Sequence, residues 1–344
     1  MPMPDADLHP VATGLAKETV DKHAAEQPLK LFAGWFCPFV QRVWLALEEK
    51  KIPYQYIEVN PYHKGEQLMK ANPRGLVPTL EVAPGKALYE STVLLQYLEE
   101  AYPDHAPKLL PTVNGSDDGE QLFQRARARI WMDFVTSRII PAWHRLLQYQ
   151  PPSSSAGHDD DGRTKLEALR DEYRGYLLEF AGAMDPEGPY FFAGDQVGMV
   201  DLTLAPWVLR HWVFEHFKGV AVIPEKSGSE DGGWDRIRKW QAAIESRESV
   251  KRTESEREFC LPIYQRYADD VAQSEMAKAS RAGRGGALRG VKQYLSINYW
   301  VPAHRAVGLL QADNLAFGPL LCLATAKYAP TCSSIYLSCS YSKS

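Results

Sequence analysis

The clearest periodicity in the chain begins at Phe36. Phe36, Phe39, Val40, Val43, Trp44 and Leu47 fall at i, i+3, i+4, i+7, i+8 and i+11, the apolar stripe of a helix. Gln41, Arg42, Glu48 and Glu49 are assigned to its polar face. Pro38 suits the first helical position, where its missing N–H costs nothing, so Cys37 becomes the N-cap. The alternation before it, "LKLFAGW" (29–35), predicts a strand. "YQYIEV" (54–59), "LVPTLEV" (76–82) and "ALYE" (87–90) predict three more, the last two joined by the turn "APGK". "YHKGEQLMKANPRG" (62–75) reads as a short helix and turn, and "STVLLQYLEEAYP" (91–103) as a helix that Ser91 opens and Pro103 closes. The order is β-α-β-α-β-β-α.

After "PTVNGSDDG" (111–119) the period is helical throughout. Leu166, Leu169, Tyr173, Leu177, Phe180 and Met184 mark one amphipathic helix, and Trp234, Ile237, Trp240 and Ile244 another. "VDLTLAPWVLRHWVFEHF" (200–217) is apolar almost throughout and predicts a single buried helix, while "QPPSSSAGHDDDG" (150–162) reads as a solvated loop. From 276 onward the basic, Gly-rich "KASRAGRGGALRG" and the Ser/Cys/Tyr-rich "CSSIYLSCSYSKS" carry no period, and 276–344 reads as a disordered appendage.

Composition narrows the class. The 344 residues are 45% hydrophobic and 24% charged with a net charge of −4, as in a soluble globular protein with no call on nucleic acid. Residues 276–344 hold eight Lys/Arg and one acidic residue, Asp313, whereas the first 275 hold 31 basic and 42 acidic side chains. Only Cys37 and Cys260 precede the appendage, a poor disulfide framework that fits a reducing compartment. No Cys/His spacing suits zinc, so no metal is expected. The N-terminal stretch 1–28 lacks the apolar core of a signal peptide, and the longest apolar run, "LAFGPLLCLATA" (315–326), is too short to span a bilayer.

Cys37 carries the candidate chemistry. Unpaired N–H groups and the dipole at a helix N-terminus favour a thiolate, so a nucleophile with a lowered pKa is expected. Taken alone, an inert buried cysteine is an equally good reading.

Four motifs in order decide between them: "FCPFVQR" (36–42), "NPRGLVPTL" (72–80), "LYESTVLLQYLEEAYP" (88–103) and "AGDQVGMVDLTLAPW" (193–207). Over 29–268 the chain resembles the omega class of cytosolic glutathione transferases, within the thioredoxin-fold superfamily. The resemblance implies an N-terminal extension (1–28), an α/β thioredoxin-like glutathione-binding domain (29–108) and an all-α C-terminal domain (109–275). It leaves 276–344 unexplained.

What the resemblance implies for the site follows residue by residue. Cys37 is the catalytic monothiol, because Val40 stands where a dithiol motif would hold its second cysteine. It forms a mixed disulfide with glutathione, which a second glutathione releases. Pro78 is cis and exposes the backbone of Val77 to glutathione's cysteinyl unit, which adds like a short strand. Glu90 holds the γ-glutamyl ammonium; Ser91 and its helix N-terminus hold the carboxylate. Lys64 pairs with the glycyl carboxylate, a solvated lysine being the plain alternative. Phe39 is counted with the glutathione-binding residues, flanking the thiol, and also fits the core stripe. Trp207 and Arg210 reach a second-substrate pocket, or else are a core tryptophan and a surface arginine. "GMVD" (198–201) replaces the hydroxyl residue of a capping box by Gly198 and keeps Asp201, leaving half the box.

The expected protein is thus a cytoplasmic homodimer with glutathione as co-substrate. It reduces small-molecule or glutathionylated substrates, including dehydroascorbate. Two alternatives stand beside this. One is a conjugating enzyme for electrophiles, in detoxification or biosynthesis. The other is a non-catalytic ligand-binding or membrane-inserting relative of the fold.

Overall fold

Lys30–Ala33 (β1) pairs in parallel with Gln55–Glu58 (β2) and antiparallel with Thr79–Ala83 (β3), which pairs antiparallel with Lys86–Tyr89 (β4). The sheet order is β2-β1-β3-β4. The register sets Leu31 opposite Leu80 and Phe32 opposite Thr79, with Leu31, Phe32 and Leu80 buried. This is a computed structural model, and it describes residues 8–112, 118–151, 159–226 and 232–283. They fall within one compact unit. Residues 284–344, with Cys322, Cys332, Cys339 and most of the appendage, lie outside the described residues, as does the start of the N-terminal extension.

Pro38–Lys50 (α2) follows β1, Glu66–Ala71 (α3) precedes β3, and Ser91–Ala101 (α4) follows β4. The β-α-β-α-β-β-α order holds. One helix lies ahead of it: Gly14–Lys22 (α1), inside the stretch read only as an extension, with Ala16 and Thr19 buried.

α2 departs from its expected amphipathic form. Gln41 and Arg42 are each 1% exposed, and the Glu49 side chain is 7% exposed. The face assigned to solvent is covered by the C-terminal half, and its polar groups bind there. Gln41 Nε2 donates to the carbonyl of Thr253 at 3.4 Å, and Arg42 Nε donates to that of Thr203 at 2.8 Å. Arg247 Nε donates to Glu49 at 2.5 Å. Buried polar groups must be paired, and here the partners come from about 160 to 210 residues along the chain.

The second half is helical: Asp118–Phe134 (α5), Ile140–Gln148 (α6), Asp159–Ala183 (α7), Met199–Val208 (α8), Trp212–Lys218 (α9), Gly232–Ser246 (α10), Glu248–Lys251 (α11), Arg257–Ala268 (α12) and Glu275–Arg281 (α13). α8 packs on α2 and α5, and α7 on α6 and α10. Between α5 and α6 the helix widens to a π turn, Val135–Ile139, just ahead of Pro141, which cannot donate to the preceding turn. The expected loop 150–162 ends earlier than read, because α7 starts at Asp159.

The single helix expected over 200–217 is two. Arg210 Nη1 donates to the carbonyl of Pro206, the acceptor its own backbone N–H would use in a continuous helix. That N–H instead bonds the Trp207 carbonyl at 3.2 Å, and the chain turns before α9. The boundary placed after 275 is also corrected. α13 carries a fully buried Ala277, whose carbonyl accepts from Gln148 Nε2 at 3.2 Å, and Ser274 Oγ caps it.

Candidate active site

Cys37 sits where the cap rule puts it. Its N–H donates to Gly34 at 2.9 Å, closing the turn from β1, and its carbonyl accepts from Gln41 N–H at 3.0 Å as the first α2 bond. The side chain is half-buried, and the N–H groups of Val40 and Phe39 face the sulfur. The expectation of a lowered pKa is not met. Burial pushes the Cys37 thiol up; the Val40 and Phe39 N–H groups and the charges of Arg210 and Arg42 oppose it without overturning it. The helix terminus is present, but the loss of solvent outweighs it.

Val77–Pro78 is cis. Among the described residues neither the N–H nor the C=O of Val77 has a hydrogen-bond partner. The loop around it is held by Asn72, which the sequence reading passed over. Asn72 is fully buried; its Nδ2 donates to Thr79 Oγ1 at 2.9 Å and to the Leu76 carbonyl at 3.2 Å, and its Oδ1 accepts from Arg74 N–H at 3.1 Å. An Asn opening a Pro/Gly turn was the available signal.

Glu90, not Ser91, holds the N-cap position of α4, and its φ of 73° is uncommon for a residue with a side chain. Strained conformations of this kind persist where the surroundings fix them, and they cluster at functional sites. Its side chain is 58% exposed, and Arg74 Nη1 binds it at 2.8 Å. Ser91 is the buried first residue of α4, and its Oγ accepts from Arg42 Nη1 at 3.1 Å. Lys64 is exposed; its Nζ donates to the Arg74 carbonyl at 3.0 Å. Arg74 therefore links Lys64 and Glu90 along one rim.

The two expected pocket residues separate. Trp207 is fully buried, edge-on to Phe39 at 4.8 Å and beneath the Arg42 guanidinium at 4.5 Å. It is a core residue, correcting the pocket assignment. Arg210 lines a cleft of about 160 Å³ with Trp35, Phe36, Trp212, Glu254 and Cys260, beside the Cys37 turn. It too is mostly buried, not a surface arginine. His211 is held neutral by burial, pushed down to about 3, with Nε2 2.8 Å from the Tyr173 hydroxyl.

Asp201 anchors this half. Its Oδ2 accepts from Gly198 N–H at 2.8 Å, and its Oδ1 accepts from Phe191 N–H at 2.8 Å and from Trp240 Nε1 at 2.7 Å. The half capping box is as read: the acid is there, and Gly198 returns nothing.

Comparison with known proteins adds the following. The family described as "Glutathione S-transferase, N-terminal domain" matches residues 36–101. A probable glutathione S-transferase GSTU1 of Oryza sativa subsp. japonica is 34% identical over 203 residues, 58% of this chain and 80% of the rice protein. Glutathione S-transferase omega-1 of Sus scrofa is 30% identical over 182 residues, 53% of this chain and 66% of the pig protein. Among solved structures, glutathione transferase Omega 3C of Trametes versicolor is 38% identical with a TM-score of 0.58, covering 72% of this chain and 97% of that one.

Proposed function

Since the chain belongs to the glutathione transferase family, we propose that it acts within it as an omega-like thiol transferase and dehydroascorbate reductase with Cys37 as its monothiol nucleophile. The observation that carries this is the Cys37 cap, a half-buried thiol facing two free N–H groups at the start of α2. Cysteine at that place favours exchange over conjugation. The Cys37 thiolate attacks the glutathionyl sulfur of a mixed disulfide, forming Cys37–S–S–glutathione and releasing the substrate thiolate. A glutathione thiolate then attacks the same sulfur, giving glutathione disulfide and restoring Cys37. With dehydroascorbate the two electrons come from two glutathione molecules.

Glutathione is proposed to lie along the free backbone of Val77 beside Pro78, with its γ-glutamyl end at Glu90 and Ser91 and its glycyl end near Lys64. Phe39 is assigned to positioning the turn rather than to contact. Arg210 is the residue kept for the second substrate. The uncovered apolar side chains Val93 of α4 and Leu122, Phe123 and Ile130 of α5 support a homodimer. No described helix is long and apolar enough to cross a membrane.

Conjugation of electrophiles is the second reading, favoured by the likeness to the rice protein and by a thiol that burial keeps protonated. Purified protein assayed with a glutathionylated thiol and with an aryl halide separates them. Turnover of the mixed disulfide that vanishes in Cys37→Ser is the expected result; aryl-halide conjugation alone would establish the other.

A further inference from the structure

Arg210 and Glu254 line the same cleft of about 160 Å³, and they do not pair with each other. Arg210 stands between α8 and α9 and is 7% exposed. Its Nη1 donates only to neutral acceptors, the Gln41 side-chain carbonyl and, at 2.6 Å, the Pro206 carbonyl. No carboxylate among the described residues forms an ion pair with it. A guanidinium has five N–H donors, so those of Nε and Nη2 remain for the neighbouring Tyr264 hydroxyl and the cleft. Glu254, between α11 and α12, is half-buried, and its carboxylate has neither a hydrogen bond nor an ion pair among the described residues. Burial pushes this carboxyl up, with the charges of Arg210 and Arg257 opposing it. A buried cation without a counter-ion and a carboxylate withdrawn from water are both costly. Closing on each other would relieve both, yet the fold holds them apart on one cleft.

The rest of the lining suits a small molecule. Trp35 and Phe36, the two residues ahead of Cys37, supply apolar surface together with Trp212 and Cys260. Arg257 lies over the Trp212 ring at 5.8 Å. Thr13 fastens the chain beside Glu254: its N–H donates to Ser255 Oγ and its Oγ1 accepts from Glu256 N–H, both at 3.1 Å. Walls fixed in advance lower the ordering cost of binding. A cavity of about 150 Å³ admits one benzene molecule. A ligand is therefore no larger than a single ring or a short amino acid, and one such molecule meets both charges.

We propose that this cleft binds the zwitterionic end of a small amino acid, its carboxylate on Arg210 and its ammonium on Glu254. The sulfur-bearing side chain lies against Trp35, Phe36 and Trp212, since aromatic rings favour contact with sulfur. The second substrate is then a mixed disulfide of glutathione with an amino-acid thiol of cysteine size, and the zwitterion is what the site recognises in it beyond glutathione. This rests on the reading of the cleft as the second-substrate site.

The test probe is S-methylcysteine, a zwitterion whose sulfur cannot exchange, titrated into the full-length protein and followed by saturation-transfer NMR. Methylthiopropanoate lacks the ammonium, and methylthioethylamine lacks the carboxylate. The zwitterion should bind roughly tenfold more tightly than either, the scale of one partly shielded charge-assisted contact. Glu254→Gln should weaken S-methylcysteine by about tenfold and leave methylthiopropanoate bound no more weakly, because that anion loses a repulsive neighbour. No binding of the zwitterion at millimolar concentration, equal affinity across the three ligands, or equal loss of both acids in Glu254→Gln overturns the proposal. Should Glu254→Gln not fold, the three ligands on the unaltered protein decide alone. Neither readout involves turnover. Charge-selective binding without thiol transfer would sink the functional reading and leave the zwitterion site standing; thiol transfer without charge selection would do the reverse.

Discussion

Glu58 Oε1 at the end of β2 accepts the N–H of Trp35 at 3.0 Å, fastening the turn that leads to Cys37. Burial pushes this carboxyl from the ordinary 4.5 up to about 8, against the Trp35 N–H, the Tyr56 hydroxyl and the Ala12 N–H. A carboxyl whose pKa is raised on folding contributes stability below the unfolded value that is lost as pH rises to the folded one. The window here is pH 4.5 to about 8. Glu58→Gln keeps the acceptor and removes the ionisation. Its melting temperature should gain on that of the unaltered protein as pH rises through the window; parallel curves would show that Glu58 does not titrate this way.

Cys37 should ionise above the ordinary cysteine value, because burial outweighs the helix terminus. Thiolate absorbance in the free protein should rise only at alkaline pH, and thiol transfer should keep speeding up from neutral pH into the alkaline range. A rate already flat at neutral pH would contradict this.

Cys37→Ser should abolish thiol transfer and leave glutathione affinity within about twofold, since the proposed contacts lie at Val77, Glu90, Ser91 and Lys64. Glu90→Ala should weaken binding by about 1 kcal/mol, the scale of one partly exposed charged bond, and Lys64→Ala by less. Calorimetry checks the order, which reverses if Glu90 is only Arg74's partner.

Gly198→Ser should stabilise. A Cβ there meets Asp201 Oδ2 and the Leu109 carbonyl no closer than 3.4 Å, and φ is −115°. A serine hydroxyl would supply the missing half of the capping box. The gain expected is a few tenths to about 1 kcal/mol, seen as a higher melting temperature. A loss would mean that the space does not admit the hydroxyl.

Removing α13 by ending the chain after Ser274 should lower the melting temperature relative to ending it after Gly283. It strips one of the two acceptors of Gln148 Nε2, leaving Asp270 Oδ1, and the anchor of Arg281 Nη1 on Asp270 Oδ1, at 3.1 Å. Equal melting would return the boundary to 275.

What the sequence disclosed was local. Cys37 as cap, Pro38 behind it, the strand order and the α7 stripe each depend on neighbours within a few positions. What stayed hidden depends on distant segments. Gln41 and Arg42 look like solvent-facing positions because α2 by itself has a polar side; only α8 and the chain near Thr253 make that side an interior. Trp207 and Arg210, three residues apart, looked alike, yet one is roofed by Arg42 while the other opens on a cleft. Burial of the thiol, which outweighs the helix terminus in setting its pKa, is likewise not legible from its neighbours in the sequence.

The polar seam on α2 bears on how this chain can be divided. Arg42 takes acceptors from α4, the π turn and α8, and Glu49 is held by Arg247. A fragment ending after α4 would present a guanidinium, an amide and a carboxylate to water beside stripped apolar surface, with the Cys37 turn losing its backing. The sulfur-bearing half is therefore not a transferable cassette. Grafted onto another scaffold it would need the second half's carbonyls and hydroxyls reproduced in place, so recombination between relatives should preserve activity only when both halves are inherited together.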